Sequence, residues 1–188
     1  PAARLCSAST AGSCSTIRPG MRIAITAGSR GISNHKRILK TVVDLVKEKG
    51  AHPFVVPAMG SHGGATAQGQ LDILEGFGIT PDFLGCPILS GMETVQVGVS
   101  PEGHPVHIDK NAHGADGIIL VNKVKPHTAF RGPHESGLMK MMTIGLGKQF
   151  GASLCHQAGF KNMGRLVPMF ANVILDRCNI LFGLAIVE

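Results

Sequence analysis

Four positions in this chain join a reactive side chain to the end of an apolar, strand-like run: Arg30, His62, His127 and Lys140, with His156 close behind. His62 lies in Gly60-Ser61-His62-Gly63-Gly64. Glycines on either side leave its ring unshielded and let the backbone bend tightly around a ligand. An imidazole there titrates near neutrality and can serve as acid or base. The same glycines suit a plain turn into a helix, and the two readings stand level. Gly28-Ser29-Arg30-Gly31 and the His62 loop also present amides at helix starts, which attract anions. Neither matches GxxxxGK[ST] or GxGxxG. Arg30 can grip a carboxylate in a two-pronged fork, although an arginine ahead of a helix is also an ordinary surface residue.

The segment from Lys125 to His156, KPHTAFRGPHESGLMKMMTIGLGKQFGASLCH, is denser in chemistry. It holds three histidines (His127, His134, His156), five glycines, and Lys125, Arg131, Lys140 and Lys148, with Lys123 just upstream. Core packing does not require that concentration. Lys140 is flanked by Leu138, Met139, Met141 and Met142. A lysine in apolar company can lose its charge and become nucleophilic; on an amphipathic helix it snorkels to water instead. No HExxH is present, which speaks against a zinc hydrolase. His104 and His107 sit in a β-like stretch that points them to opposite faces. His156 can offer one ligand to a metal whose other ligands come from a cofactor.

These residues need a scaffold, and the apolar pattern supplies one. Residues 21–27 read as a buried strand and 34–49 as a helix capped by Ser33 or Asn34 and stopped by Gly50. A strand over 52–57 and a helix over 66–76, capped by Thr66, follow. Short β pieces are expected within 86–111, including 95–99 and 106–109, and a buried strand over 117–121. Helices are expected over 136–148 and 161–171, and a last strand over 180–187. The alternation puts the chemical loops at the carboxyl ends of strands, where ligands bind in open parallel sheets. The expected fold is α/β, a Rossmann-like open, mostly parallel sheet with flanking helices. Residues 21–188 form the expected domain, preceded by a flexible segment over 1–20. The chain begins with Pro1, and its last strand stops at Glu188 without a closing element, so a piece of a longer protein is expected.

Composition narrows the function classes. Of 188 residues, 44% are hydrophobic and 16% charged, which indicates a globular chain. The net charge of +6 comes from scattered Lys and Arg, and Trp and Tyr are absent. Without a basic stripe or stacking aromatics, nucleic acid is not expected as a partner; a small anionic substrate suits the charge. No apolar run reaches the ~20 residues of a membrane span, and 1–20 lacks a signal-peptide core. Five cysteines without a CxxC pair argue against a zinc ribbon or iron–sulfur cluster and fit a reducing, cytoplasmic location.

Three stretches together resemble a known family: PAMGSHGGATAQGQ, ADGIILVNKVKPHTAFRGPHESGLMKMMTIGLGK and the following His156-x-x-Gly159-Phe160. Over roughly residues 20–188 the chain is similar to the N-terminal domain of the lactate racemase family. That resemblance implies a racemase or epimerase of 2-hydroxy acids that uses a nickel pincer nucleotide. It implies His62 and His127 as the acid/base pair, Lys140 as the covalent tether of the cofactor, His156 as the protein ligand to nickel, and Arg30 as a substrate contact. One histidine would take the hydroxyl proton while hydride leaves Cα for the cofactor; return of both to either face of the planar 2-keto acid would racemise the centre. The chain departs from the family pattern in three places: Ala27 stands where the pattern has Asp, Gly137-Leu138-Met139 is apolar where the pattern is glycine-rich and basic, and Arg131 to His134 lengthens the interval to Lys140. The substrate therefore stays open among 2-hydroxy acids, including sugar acids and dicarboxylates. A C-terminal domain of the same protein is expected to close the cleft, and a chain ending at Glu188 is expected to be inactive. The competing expectation is a non-catalytic anion- or nucleotide-binding domain of the same fold.

Overall fold

The computed structural model describes residues 4–5, 16–29, 31–126, 132, 134–157 and 159–188. Seven strands are described: β1 (Arg4–Leu5), β2 (Arg22–Ala27), β3 (His52–Pro57), β4 (Thr94–Val99), β5 (Pro105–Asp109), β6 (Gly117–Val124) and β7 (Ile180–Val187). The helices are α1 (His35–Glu48), α2 (Ala67–Gly76), α3 (Pro81–Leu84), α4 (Lys110–His113), α5 (Gly137–Lys140), α6 (Lys148–Gln157) and α7 (Phe160–Arg177). A π-helical turn, Met141–Gly145, follows directly on α5.

The main sheet has the order β1-β7-β6-β2-β3, with β7, β6, β2 and β3 parallel and β1 antiparallel to β7. The expected α/β, mostly parallel sheet with flanking helices is what forms. Residues alternate between faces of a strand, and each strand here is apolar on both. Ile23, Ile25, Val55, Ile119 and Val121 pack under α1, α2 and α3 with Leu39, Val43, Val46, Leu74 and Leu84. Ala24, Phe54, Val56, Ile118 and Leu120 face α7, the π-turn and β5, meeting Leu166, Val167, Phe170, Met142 and Ile108. Near-continuous apolar strands are what a sheet covered on both faces requires. No described helix is long and apolar enough to cross a membrane.

Several local expectations change. Of the segment expected to be flexible, most of 1–15 lies outside the described residues; Arg4–Leu5 pairs with β7, and Ile17 is buried. Neither Ser33 nor Asn34 caps α1 through its side chain: Asn34 has φ 59°, and the Ser33 N–H is taken by the Glu188 carboxylate. Thr66 does cap α2, its Oγ1 accepting from Gly69 N at 3.0 Å. The pieces over 86–111 form a separate antiparallel hairpin of β4 and β5. The helix expected over 136–148 is instead α5 plus the π-turn, and α6 begins at Lys148. Close packing decides this break: a Cβ on Gly147 would lie 2.2 Å from Thr143 O, and Lys148 takes a left-handed φ of 53°. The last helix is also longer than expected, continuing through Pro168 to Arg177.

Candidate functional site

Strands β2 and β6 pair only as far as Ile25 and Ile119. Beyond that point the hydroxyl of buried Thr26 accepts the N–H of Val121 at 2.9 Å, replacing a ladder bond. The two strands diverge where the chain order of the sheet reverses direction, the switch point at which open α/β sheets form crevices. A cavity of about 330 Å³ opens there. Gly28 and Ser29 enter it from the exit of β2, Ala58, Met59, Ser61 and His62 from the exit of β3, and Asn122, Lys123, Lys125 and Pro126 from the exit of β6. Lys140, Met141, Ile144 and Gly145 line another wall, and Ala152 and His156 of α6 complete it.

Three residues singled out from the sequence thus meet at one cavity: His62, Lys140 and His156. Arg30 and His127 lie outside the described residues. The residues directly before them, Ser29 and Pro126, line the same cavity.

His62 is exposed, and its Nδ1 is hydrogen-bonded to Ser29 Oγ. That contact orients the ring and engages one of its two nitrogens. The loop carrying it is held by a close approach of two glycines. Gly63 has φ 66°, and a Cβ on it would stand 2.5 Å from Gly69 C; any other residue is both strained and obstructed there. Lys140 ends α5 half-buried, and its neighbours Met141 and Met142 are buried. The apolar company expected of Lys140 is therefore real on one side, while its other side borders the cavity. His156 is exposed near the end of α6. The exit of β6 is tied to the start of α5: Asn122 Nδ2 donates to Gly137 O at 2.8 Å, and Ser136 Oγ both accepts from Lys125 N at 2.7 Å and donates to Lys125 O at 2.6 Å.

Beneath the loop lies a buried polar network that the sequence reading did not single out. Lys148 and Asp109 have fully buried side chains, with Lys148 Nζ 3.1 Å from Asp109 Oδ2. Lys148 also donates to Pro57 O at the end of β3 and to Gln70 Oε1 at 3.1 Å. Burial pushes the Lys148 ammonium below the usual lysine pKa, and Asp109 opposes that shift. Gln70, itself buried, donates to Gly60 O at 3.0 Å and to His62 O at 3.2 Å. Lys148 carried no signal beyond being one of several cations in a glycine-rich segment. Gln70 and Asp109 read as ordinary residues of a helix and a strand.

No group of three or more His, Cys, Asp or Glu side chains able to hold a metal occurs among the described residues. Among the described residues the cavity offers two imidazoles, His62 and His156, and the amines of Lys123, Lys125 and Lys140. That donor set fits a metal carried in by an organic group; it does not fit a metal held by protein ligands alone.

A structure of the lactate racemase apoprotein from Thermoanaerobacterium thermosaccharolyticum is similar to this chain, with a TM-score of 0.69 and 15% sequence identity. The match covers 93% of this chain and 44% of that one, so this chain spans less than half of that protein's length. At this identity the likeness concerns the fold. No curated protein matches the sequence. Residues 17–187 match the family model described as "Domain of unknown function (DUF362)", and the chain belongs to that family.

Proposed function

We propose that this domain belongs to a racemase or epimerase of 2-hydroxy acids that works with a nickel pincer nucleotide. One observation carries the reading: His62, Lys140 and His156, 94 residues apart in sequence from first to last, border one cavity at the switch point of a lactate-racemase-like sheet. Lys140 would anchor the cofactor through its amine, and His156 would be the protein's own ligand to nickel. The bound cofactor would accept hydride from the substrate Cα and return it.

The chain's residues would handle the protons and the carboxylate. His62, its ring oriented by Ser29, would exchange the hydroxyl proton. His127 would do the same from the opposite face of the planar intermediate, which is the symmetry an epimerisation needs. Arg30, with Lys123 and Lys125 on the cavity wall, would bind the substrate carboxylate.

The test is expression of the full-length protein together with the cofactor-making enzymes. Expected are one nickel per chain, a mass increase on the peptide holding Lys140, and interconversion of stereoisomers from a panel of 2-hydroxy acids on chiral chromatography. His62→Ala should then lose turnover while keeping nickel, and His156→Ala should lose nickel. Protein with no nickel, an unmodified Lys140 and no turnover under those conditions would overturn the proposal. Phosphate or nucleotide binding that survives His62→Ala and His127→Ala would identify an anion-binding domain instead.

A further inference from the structure

The network under the cavity is built differently from an ordinary core. A lysine and an aspartate, both without solvent exposure, face each other at 3.1 Å. Buried ion pairs are costly, since desolvation cancels much of their attraction, and replacement by apolar residues is often neutral or stabilising. Stability alone therefore does not account for the pair. The backbone at Lys148 adds a further cost, because a non-glycine residue at φ 53° is held in a sparsely populated conformation. Strain of this kind persists where the surroundings over-determine it.

The network has a direction. Asp109 is anchored by its own backbone role, with Oδ1 accepting from Ala112 N at 2.9 Å at the start of α4. Its Oδ2 faces Lys148, which opens α6, the helix that carries His156. Lys148 reaches the last carbonyl of β3 and the amide oxygen of Gln70. Gln70, its oxygen so occupied, turns its NH2 to Gly60 O and His62 O. An amide accepts at one end and donates at the other, so the lysine fixes which way Gln70 points. The chain of contacts ends on the carbonyl of the residue read as the acid/base.

We propose that Gln70, oriented by the buried Lys148–Asp109 pair, is a positioning residue that sets the place of the His62 ring in the cavity. This rests on the reading of His62 as a proton-transfer group. Gln70 touches neither substrate nor cofactor, and its effect passes through the Gly60 and His62 carbonyls. The same lysine opens the His156 helix, so one buried charge references two walls of the cavity to each other.

Gln70→Glu discriminates. A carboxylate keeps an acceptor for Lys148 and the same side-chain volume, but cannot donate to Gly60 O and His62 O. Gln70→Leu removes both functions, and Gln70→His is the conservative rescue, retaining a ring N–H donor. In the full-length holoenzyme, Gln70→Glu is expected to lower kcat by roughly 10- to 100-fold with KM within about 3-fold, as for a misplaced catalytic group. The thermal unfolding temperature of Gln70→Glu should fall, because a buried carboxylate leaves Gly60 O and His62 O without a donor. The kcat comparison is therefore made at temperatures where both proteins are folded, and Gln70→His should regain part of kcat. Independently of turnover, the His62 ring resonances, identified by comparison with His62→Gln, should move in their pH titration in Gln70→Glu. An unchanged His62 titration with wild-type kcat in Gln70→Glu would overturn the positioning role. Wild-type turnover in His62→Ala would instead overturn the acid/base reading beneath it.

Discussion

Replacing Lys148 by methionine keeps most of its volume but removes the charge facing Asp109. Both side chains are fully buried, so the aspartate would be left without a counter-charge and without water. Breaking a buried pair from one side costs about 3–5 kcal/mol. Pro57 O and Gln70 Oε1 each lose a donor as well, at about 1 kcal/mol apiece. The sum is ~6 kcal/mol against a total stability of about 5–15 kcal/mol for a domain. The variant should sit near the edge of unfolding at room temperature. Adding Asp109→Asn to the same chain removes the stranded charge while its side-chain oxygen still caps Ala112 N. The double variant should therefore recover about 2–3 kcal/mol. Urea unfolding followed by circular dichroism is the assay, because the chain has no Trp or Tyr for fluorescence. A single variant within about 1 kcal/mol of wild type, or a double variant no more stable than the single, would refute this account of the pair.

Two further outcomes follow from the same structure. His35 is buried with neither ring nitrogen hydrogen-bonded, and burial depresses its pKa from 6.5 to about 4. The unfolded chain takes up that proton near pH 6.5 and the folded chain does not, so stability falls as pH drops from 6.5 towards 4. The most this group can remove is ~3 kcal/mol; urea midpoints measured across that range should show the slope, and His35→Phe should flatten it. Gly63→Ala should both destabilise the protein, by about 1–3 kcal/mol, and disturb the His62 loop, since its Cβ would stand 2.5 Å from the Gly69 backbone. An alanine variant with unchanged unfolding and unchanged His62 resonances would show that the loop tolerates what the geometry forbids.

Much of the scaffold could be read from local patterns. The strands over 22–27, 52–57, 117–124 and 180–187 are short, largely apolar runs, and burial of the first three on both faces follows directly from that pattern, whereas 180–187 stays half-buried. Thr66 as a cap and Gly50 after α1 are local chemistry and came through. The interval 136–148 did not. Its Leu, Met and Ile residues carry a helical pattern, whereas the π-turn and the new start at Lys148 arise from Gly147 closing on Thr143 O and from Lys148 reaching Pro57.

The candidate site divides in the same way. Residue type and glycine context marked His62, Lys140 and His156 in the linear chain, but of these only His62 sits in a strand exit; Lys140, expected at one, ends α5, and His156 lies on α6. The sequence alone also put the His62 loop at the carboxyl end of an apolar strand. It could not determine that Ser29 engages His62 Nδ1, or that Asn122 ties β6 to α5. Nor could it pair Asp109 with Lys148, 39 residues apart, beneath a loop anchored by Gln70. Those contacts join residues whose individual propensities say nothing about one another. Their partners are set by how β2 and β6 part at Thr26 and by how α6 packs under the loop, and only the tertiary structure decides that.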